Sequence, residues 1–459
     1  MESAGDAACA AGFSDWSRLP QDLLVIVFLE LEIPDLLRSG AVCTTWHCAY
    51  STFRRLRLPS LKQTPCLLYS CDTYGPDAAA LYCPATGSTF RISAPDAHLR
   101  NLWFIGSADG WMVAANEIGD LHLLNPLTGR RVELPPVTAM HHVEASLDEE
   151  GGLVYDVDED LFNDPGPTRV PALEVRDCMY FRAVLSCGPS AGAMCVVLLL
   201  HMPNGQLSYA RPGDERWTWV SPDDNTGLQC SDCYRDAAYN KEQGLFYVVQ
   251  TDDSVQTLDL NGPSPVAKMV FRGRKIHNED ADRYLIHSPW GDLVHAWRYR
   301  TDVASESSEE ADDVLLHSSV LLQSGEESDE EDDDDYDDIR HNDFRDSAVE
   351  LNTTEIQLYK TDLHGQKLES LPSLGDHALF LGYNSSLCLP VKDIPGLKPN
   401  HAYITDDSFE FISYFKQNKR EVGVWSIECK TLESIHDPTH VEDSWLNWPP
   451  PIWIVPSLL

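Results

Sequence analysis

Few residues in this chain have the types and spacing that chemistry needs. Cys230-Ser-Asp-Cys233 is a lone CxxC pair. Structural zinc takes four ligands, ordinarily two such pairs or one pair plus two histidines. No second CxxC exists, so the pair reads as a loop with two ordinary thiols. Asp156, Asp158 and Asp160 imitate the start of a calcium loop, but its sixth position is Leu161 rather than Gly and its twelfth is Pro167 rather than Glu. They read as an acidic surface loop. His141-His142 has no Asp or Cys at ligand spacing and reads as a solvated loop. The sequence carries no GxSxG, P-loop, GxGxxG or HExxH motif. No catalytic constellation, metal or cofactor is expected.

The 459 residues include 43% hydrophobic types and 12 Trp, enough for a large core and more than one domain. Against 34 Lys+Arg stand 73 Asp+Glu, a net charge of −39. That balance disfavours nucleic acid or an anionic membrane as the main partner. Almost half of it, −18, falls in residues 301–350, which leaves −21 elsewhere. The 13 Cys are odd in number and irregularly spaced, which fits reduced thiols in the cytosol or nucleus rather than a disulfide framework.

Residues 14–57, after a flexible start at 1–13, read as three short helices. Pro20 suits a helix start. Leu23, Leu24, Val27, Phe28 and Leu31 then recur on helical spacing. Pro34 interrupts, Asp35 with Leu36 and Leu37 starts a second turn, and Val42, Cys43 and Trp46 belong to a third. The apolar run Leu23 to Leu29 is far short of the ~20 residues that cross a bilayer. A unit this small buries little surface, so its surplus Leu, Val, Phe and Trp should bury their faces against something else.

From residue 62 onward, short runs of aromatic and β-branched residues alternate with Gly, Pro, Asn and Asp turns. LYCPATGSTFRI (81–92) aligns with LLNPLTGRRVEL (123–134) at a spacing of 42, and LSYARPGDERWTWV (207–220) has the same sense. Looser echoes lie at 258–270, 358–371 and 424–435. A period near 42 fits the four strands of a propeller blade. Counting turn units predicts about six blades over 62–300 and 347–459, with a sandwich or two β-domains as the alternative. Runs such as GLFYVVQ (244–250) are candidate inner strands, and the Trp-rich SWLNWPPPIWIVPS (444–457) is a candidate closing strand on the first blade. Residues 301–346 are an acidic low-complexity insert, expected to loop out between two blades. Ser307, Ser324 and Ser328 there each have an acidic residue at +3, the pattern of an acidophilic kinase.

Leu19-Pro20, Asp22-Leu23-Leu24, Phe28, Leu31, Pro34-Asp35-Leu36, Val42-Cys43 and Trp46 together resemble an F-box, with Gly40-Ala41 a small departure. Downstream, Asp109-Gly110-Trp111, Leu124-Asn125-Pro126, Ala210-Arg211-Pro212-Gly213, LFLGYNSS (379–386), GLKPNHAYITDD (396–407) and GVWSIE (423–428) resemble the propeller-like domain of plant F-box proteins of the KIB type. His401 and Ile404 stand where that family often has Cys and Phe. The resemblance implies an α+β multidomain chain, with a three-helix F-box before a mainly antiparallel all-β propeller. It implies a non-catalytic substrate receptor of an SCF-type ubiquitin ligase. Leu19, Pro20, Leu23, Leu24, Val27, Phe28, Leu31, Leu36, Leu37, Val42, Cys43 and Trp46 would meet a Skp-type adaptor, which brings cullin and the RING subunit, while the propeller holds a target protein. The alternative is a non-proteolytic adaptor that sequesters its partner.

Overall fold

The structure is a computed structural model that describes residues 15–56, 63–70, 74–75, 78–93, 99–158, 168–203, 205–222, 225–229, 233–273, 281–304, 349–416, 418–435 and 448–458. The N-terminal stretch 1–13, Cys230, Asp160 and the serines Ser307, Ser324 and Ser328 lie outside the described residues. The chain divides into two compact units, Met1–Gln63 and Thr64–Ser457.

The first unit is helical. A 3-10 turn, Trp16–Arg18, precedes α1 (Gln21–Glu30), α2 (Ile33–Ser39) and α3 (Thr44–Arg55). Pro20 sits just ahead of α1, where its carbonyl accepts from the amides of Leu23 and Leu24 at 3.1 Å. Pro34 falls in the first turn of α2, where a missing N–H costs nothing. The side chain of Gln63 braces the α1–α2 junction by accepting from the Ile33 amide at 2.8 Å. Leu24, Phe28, Leu36, Ala49, Tyr50 and Phe53 form the core. Phe28 lies edge-on to Trp46 and Phe53, with centroids 5.8 and 5.9 Å apart. Gly40 is small for a reason: a Cβ there would come within 2.7 Å of the Tyr50 ring. Phe28→Ala should cost about 3–5 kcal/mol. So small a unit cannot spare that, and loss of the helical signal in circular dichroism of the isolated region 15–63 is the expected result.

The second unit contains seven sheets among the described residues. Six are blades, and four of those, blades 2 to 5, have the same plan. In blade 2 the strands Trp103–Ala108, Trp111–Ala115, Leu121–Asn125 and Arg130–Glu133 pair antiparallel in chain order. Blade 3 runs from Tyr180–Leu185 to Thr218–Trp219, blade 4 from Tyr234–Asn240 to Val266–Phe271, and blade 5 from Ala281–His287 to Lys367–Ser370. Blade 1 takes its innermost strand, Ile452–Ile454, from the C-terminus: Leu67 pairs with Trp453 and Cys66 with Ile454. The closing strand expected from the Trp-rich tail is therefore present. Blade 6 has five strands, with Leu387–Pro390 at its edge and one parallel pair, His377–Leu381 with His401–Ile404.

These six sheets form a ring. Apolar clusters fill the junctions in turn, joining blades 3 and 4, 4 and 5, 5 and 6, and 6 back to 1. Blades 2 and 3 meet through their innermost strands, so closely that a Cβ on Gly106 would lie 2.0 Å from the Ala183 carbonyl oxygen. The seventh sheet, Val143–Leu147, Leu153–Val157 and Thr168–Pro171, falls between those blades in sequence but not in the ring. It packs from outside through Val143, Tyr155, Val157 and Val170. A cavity of about 200 Å³ at one mouth of the ring is lined from all six blades and by nothing from this side sheet.

The six repeated turn units each join the last two strands of one blade. Gly87 and Gly129 there have φ of 63° and 68°, the region that glycine enters freely. GLFYVVQ is the second strand of blade 4, between the innermost and the third. Two expectations are corrected. Asp156 lies in a strand of the side sheet, bonded to Arg169 at 2.7 Å, and not in a loop. The acidic insert does not separate blades: Thr301–Ala304 continue the second strand of blade 5, Ala304 pairs with Val349 of its third, and the insert joins the two.

Candidate functional site

The helical unit buries only part of its apolar surface. α1 reads QDLLVIVFLE and is apolar all round. A helix of that kind wants cover on both sides. Leu24 and Phe28 are 0% exposed, whereas Leu23, Ile26 and Val27 are 47%, 57% and 37% exposed on the opposite stripe. Leu37, Val42 and Trp16 are also exposed. Of the residues expected to meet a partner, Leu24, Phe28 and Leu36 are instead the unit's own core. Leu19, Leu31, Cys43 and Trp46 are half-buried, Pro20 is exposed, and the Trp46 indole N–H donates to the Trp16 carbonyl at 3.0 Å. Ile26 was missed. Its signal was the unbroken apolar run, which gives no hint of which side faces in.

The ring holds a buried charge cluster that no motif announced. Arg182 of blade 3, Asp236 of blade 4, Arg298 and Arg300 of blade 5, and Asp406, Asp407, Arg420 and Glu421 of blade 6 converge. Asp407 is its hub. It meets Arg182 at 2.8 Å, Arg298 at 3.5 Å and Arg300, and accepts from the Tyr284 hydroxyl at 2.9 Å. Burial alone would raise its carboxyl, but the guanidiniums of Arg300, Arg182 and Arg298 outweigh that and hold it low. For Asp236 burial wins over Arg182, and its carboxyl rises to about 6. Isolated charges could not survive here, so each arginine has a carboxylate partner. The cluster stitches blades 3, 4, 5 and 6 together.

The histidine pair divides. His141 is exposed and stacks on Trp219 at 4.3 Å, while His142 is buried with its ring parallel to His201 at 5.3 Å. The solvated-loop reading holds for the first and fails for the second. Among the described residues no group of three His, Cys, Asp or Glu could hold a metal ion.

Burial lowers His122, His142 and His295 to about 3, and His201 and His287 to about 4. Free histidine titrates near 6.5. Below that pH the unfolded chain takes up protons that the folded chain refuses, so their stabilisation is lost as pH falls from about 6.5 towards 4. Asp236 and Asp253, both raised to about 6 by burial, act oppositely, as does Asp282, which burial also raises: their contribution is present at low pH and lost as pH rises through the raised values. Five groups against three leave a net loss. The urea midpoint should therefore fall between pH 6.5 and pH 5, and a rising midpoint would contradict this balance.

A family model described as F-box-like matches residues 16–57, and one described as KIB1-4 beta-propeller matches residues 80–426. A small F-box unit ahead of an antiparallel β-propeller thus defines the class. The chain belongs to the KIB1-4 β-propeller family. Its relatives in Arabidopsis thaliana include F-box protein SKIP23, 23% identical over 96% of this chain and 95% of that protein. F-box only protein 7 is also 23% identical, over 58% of this chain, and the match spans 62% of that protein.

Proposed function

We propose that this chain is the substrate-recognition subunit of an SCF-type ubiquitin ligase. The carrying observation is the exposed stripe Leu23, Ile26 and Val27 on a helix whose other side is already buried. In this reading the stripe docks a Skp-type adaptor that links to cullin and a RING subunit, and the ring holds a target protein. The chain itself performs no chemistry. It raises the local concentration of a target beside a ubiquitin-charged enzyme. The odd number and irregular spacing of the 13 cysteines support action in the cytosol or nucleus. Co-expression of the full chain with a Skp-type adaptor tests the reading: a stable complex is expected, and separate elution of the two proteins overturns it.

A further inference from the structure

The turns that follow the innermost strands emerge at one mouth of the ring, around the 200 Å³ cavity. Asp109, in the turn of blade 2, and Lys241, in the turn of blade 4, reach past blade 3 to each other. The ammonium lies 2.8 and 2.9 Å from the two carboxylate oxygens. The side chains remain 40% and 66% exposed, so little holds the pair shut.

Two polar groups of the lining can accept from a cation. His287 is kept neutral by burial. Its Nε2 and the Ser385 hydroxyl have no hydrogen-bond partner among the described residues. Ser386 donates to Asp236 at 3.5 Å, which ties the cavity to the charge cluster beneath. There Asp236, Asp282, Asp406, Asp407 and Glu421 outnumber Arg182, Arg298, Arg300 and Arg420. Lys241 is the one cation of the described lining. Around the same mouth stand exposed apolar side chains, Met194 in the turn of blade 3 and Trp290 in the turn of blade 5, suited to residues flanking an inserted side chain.

We propose that this mouth receives an arginine or lysine side chain of a target polypeptide, with Lys241 keeping its place at Asp109 until the target arrives. The proposal rests on the reading of the ring as a target scaffold. Lys241 is then a competitor, not a ligand-binding group, and its removal strengthens binding.

The test uses the full chain and two immobilised dodecapeptide pools, randomised over Ala, Leu, Phe, Ser and Gly, with Arg at the centre of one and Glu at the centre of the other. Wild type should be retained by the Arg pool. Lys241→Ala should raise that retention roughly two- to five-fold, the worth of an exposed ion pair. Asp109→Asn should lower it roughly ten-fold. Asn tolerates the φ of 50° at this position, so the turn keeps its shape. Preference for the Glu pool, loss on Lys241→Ala, or no retention of either pool overturns the proposal. Displacement by spermidine with no pool preference also overturns it, by making the occupant a free amine. Adaptor co-purification of the same variants depends on the helical unit and reports on the ligase reading separately.

Discussion

Asp407→Asn should lower the free energy of unfolding by about 3–5 kcal/mol, the usual cost of breaking a buried ion pair by removing one partner. The reason is the number of groups that lose charge compensation together. Arg182, Arg298 and Arg300 all converge on this carboxylate, from two different blades. Arg182 keeps Asp236 at 3.3 Å, and Arg298 keeps Glu421 at 2.7 Å. Those contacts limit the loss and do not replace the hub. Asp236→Asn is the informative contrast. Burial already penalises its charged form, and an amide oxygen can still accept from the Leu285 amide that now bonds Oδ2 at 2.8 Å. Its cost should stay within about 1 kcal/mol. Urea denaturation at pH 7 measures both, and equal effects would show that the cluster has no hub.

The second large effect belongs to the helical unit. Leu23→Glu with Val27→Lys places an i, i+4 pair on the exposed stripe of α1, in the orientation that slightly favours helix. The two side chains contribute nothing to the unit's own core, so its stability should change by less than about 0.5 kcal/mol. A partner surface burying this stripe would have to accept two charges in an apolar contact, and adaptor co-purification should fall by at least roughly a hundred-fold. Unaltered co-purification in a folded double variant would move the docking site elsewhere. Leu24, which is completely buried, is the wrong residue for such a test because its replacement unfolds the unit first.

Much of this fold was legible because its signals are local. Pro84 with Gly87 and Pro126 with Gly129 set backbone angles within four residues, and turns of this kind mark the outermost hairpin of a blade. This also explains why turn counting reached the number of ring blades: the described residues of the side sheet, 143–158 and 168–171, have no such turn, and the sheet was never counted. Tyr234–Asn240 escaped notice as an innermost strand because it reads YRDAAYN. Its polarity comes from Asp236, which is 0% exposed and satisfied by Arg182 from the neighbouring blade.

The sequence by itself determined what each short stretch can do: which runs are helical, where strands turn back, and that α1 is greasy on every side. Only the tertiary structure decided which side of α1 is spent on its own core, which sheet stands outside the ring, and which charges are buried together. Those outcomes depend on partners far apart in the chain, as Arg182 and Asp407 are by 225 residues. Turn and helix hydrogen bonds and dihedral preferences act over a few residues and leave local marks, whereas burial and long-range pairing are properties of the assembled chain.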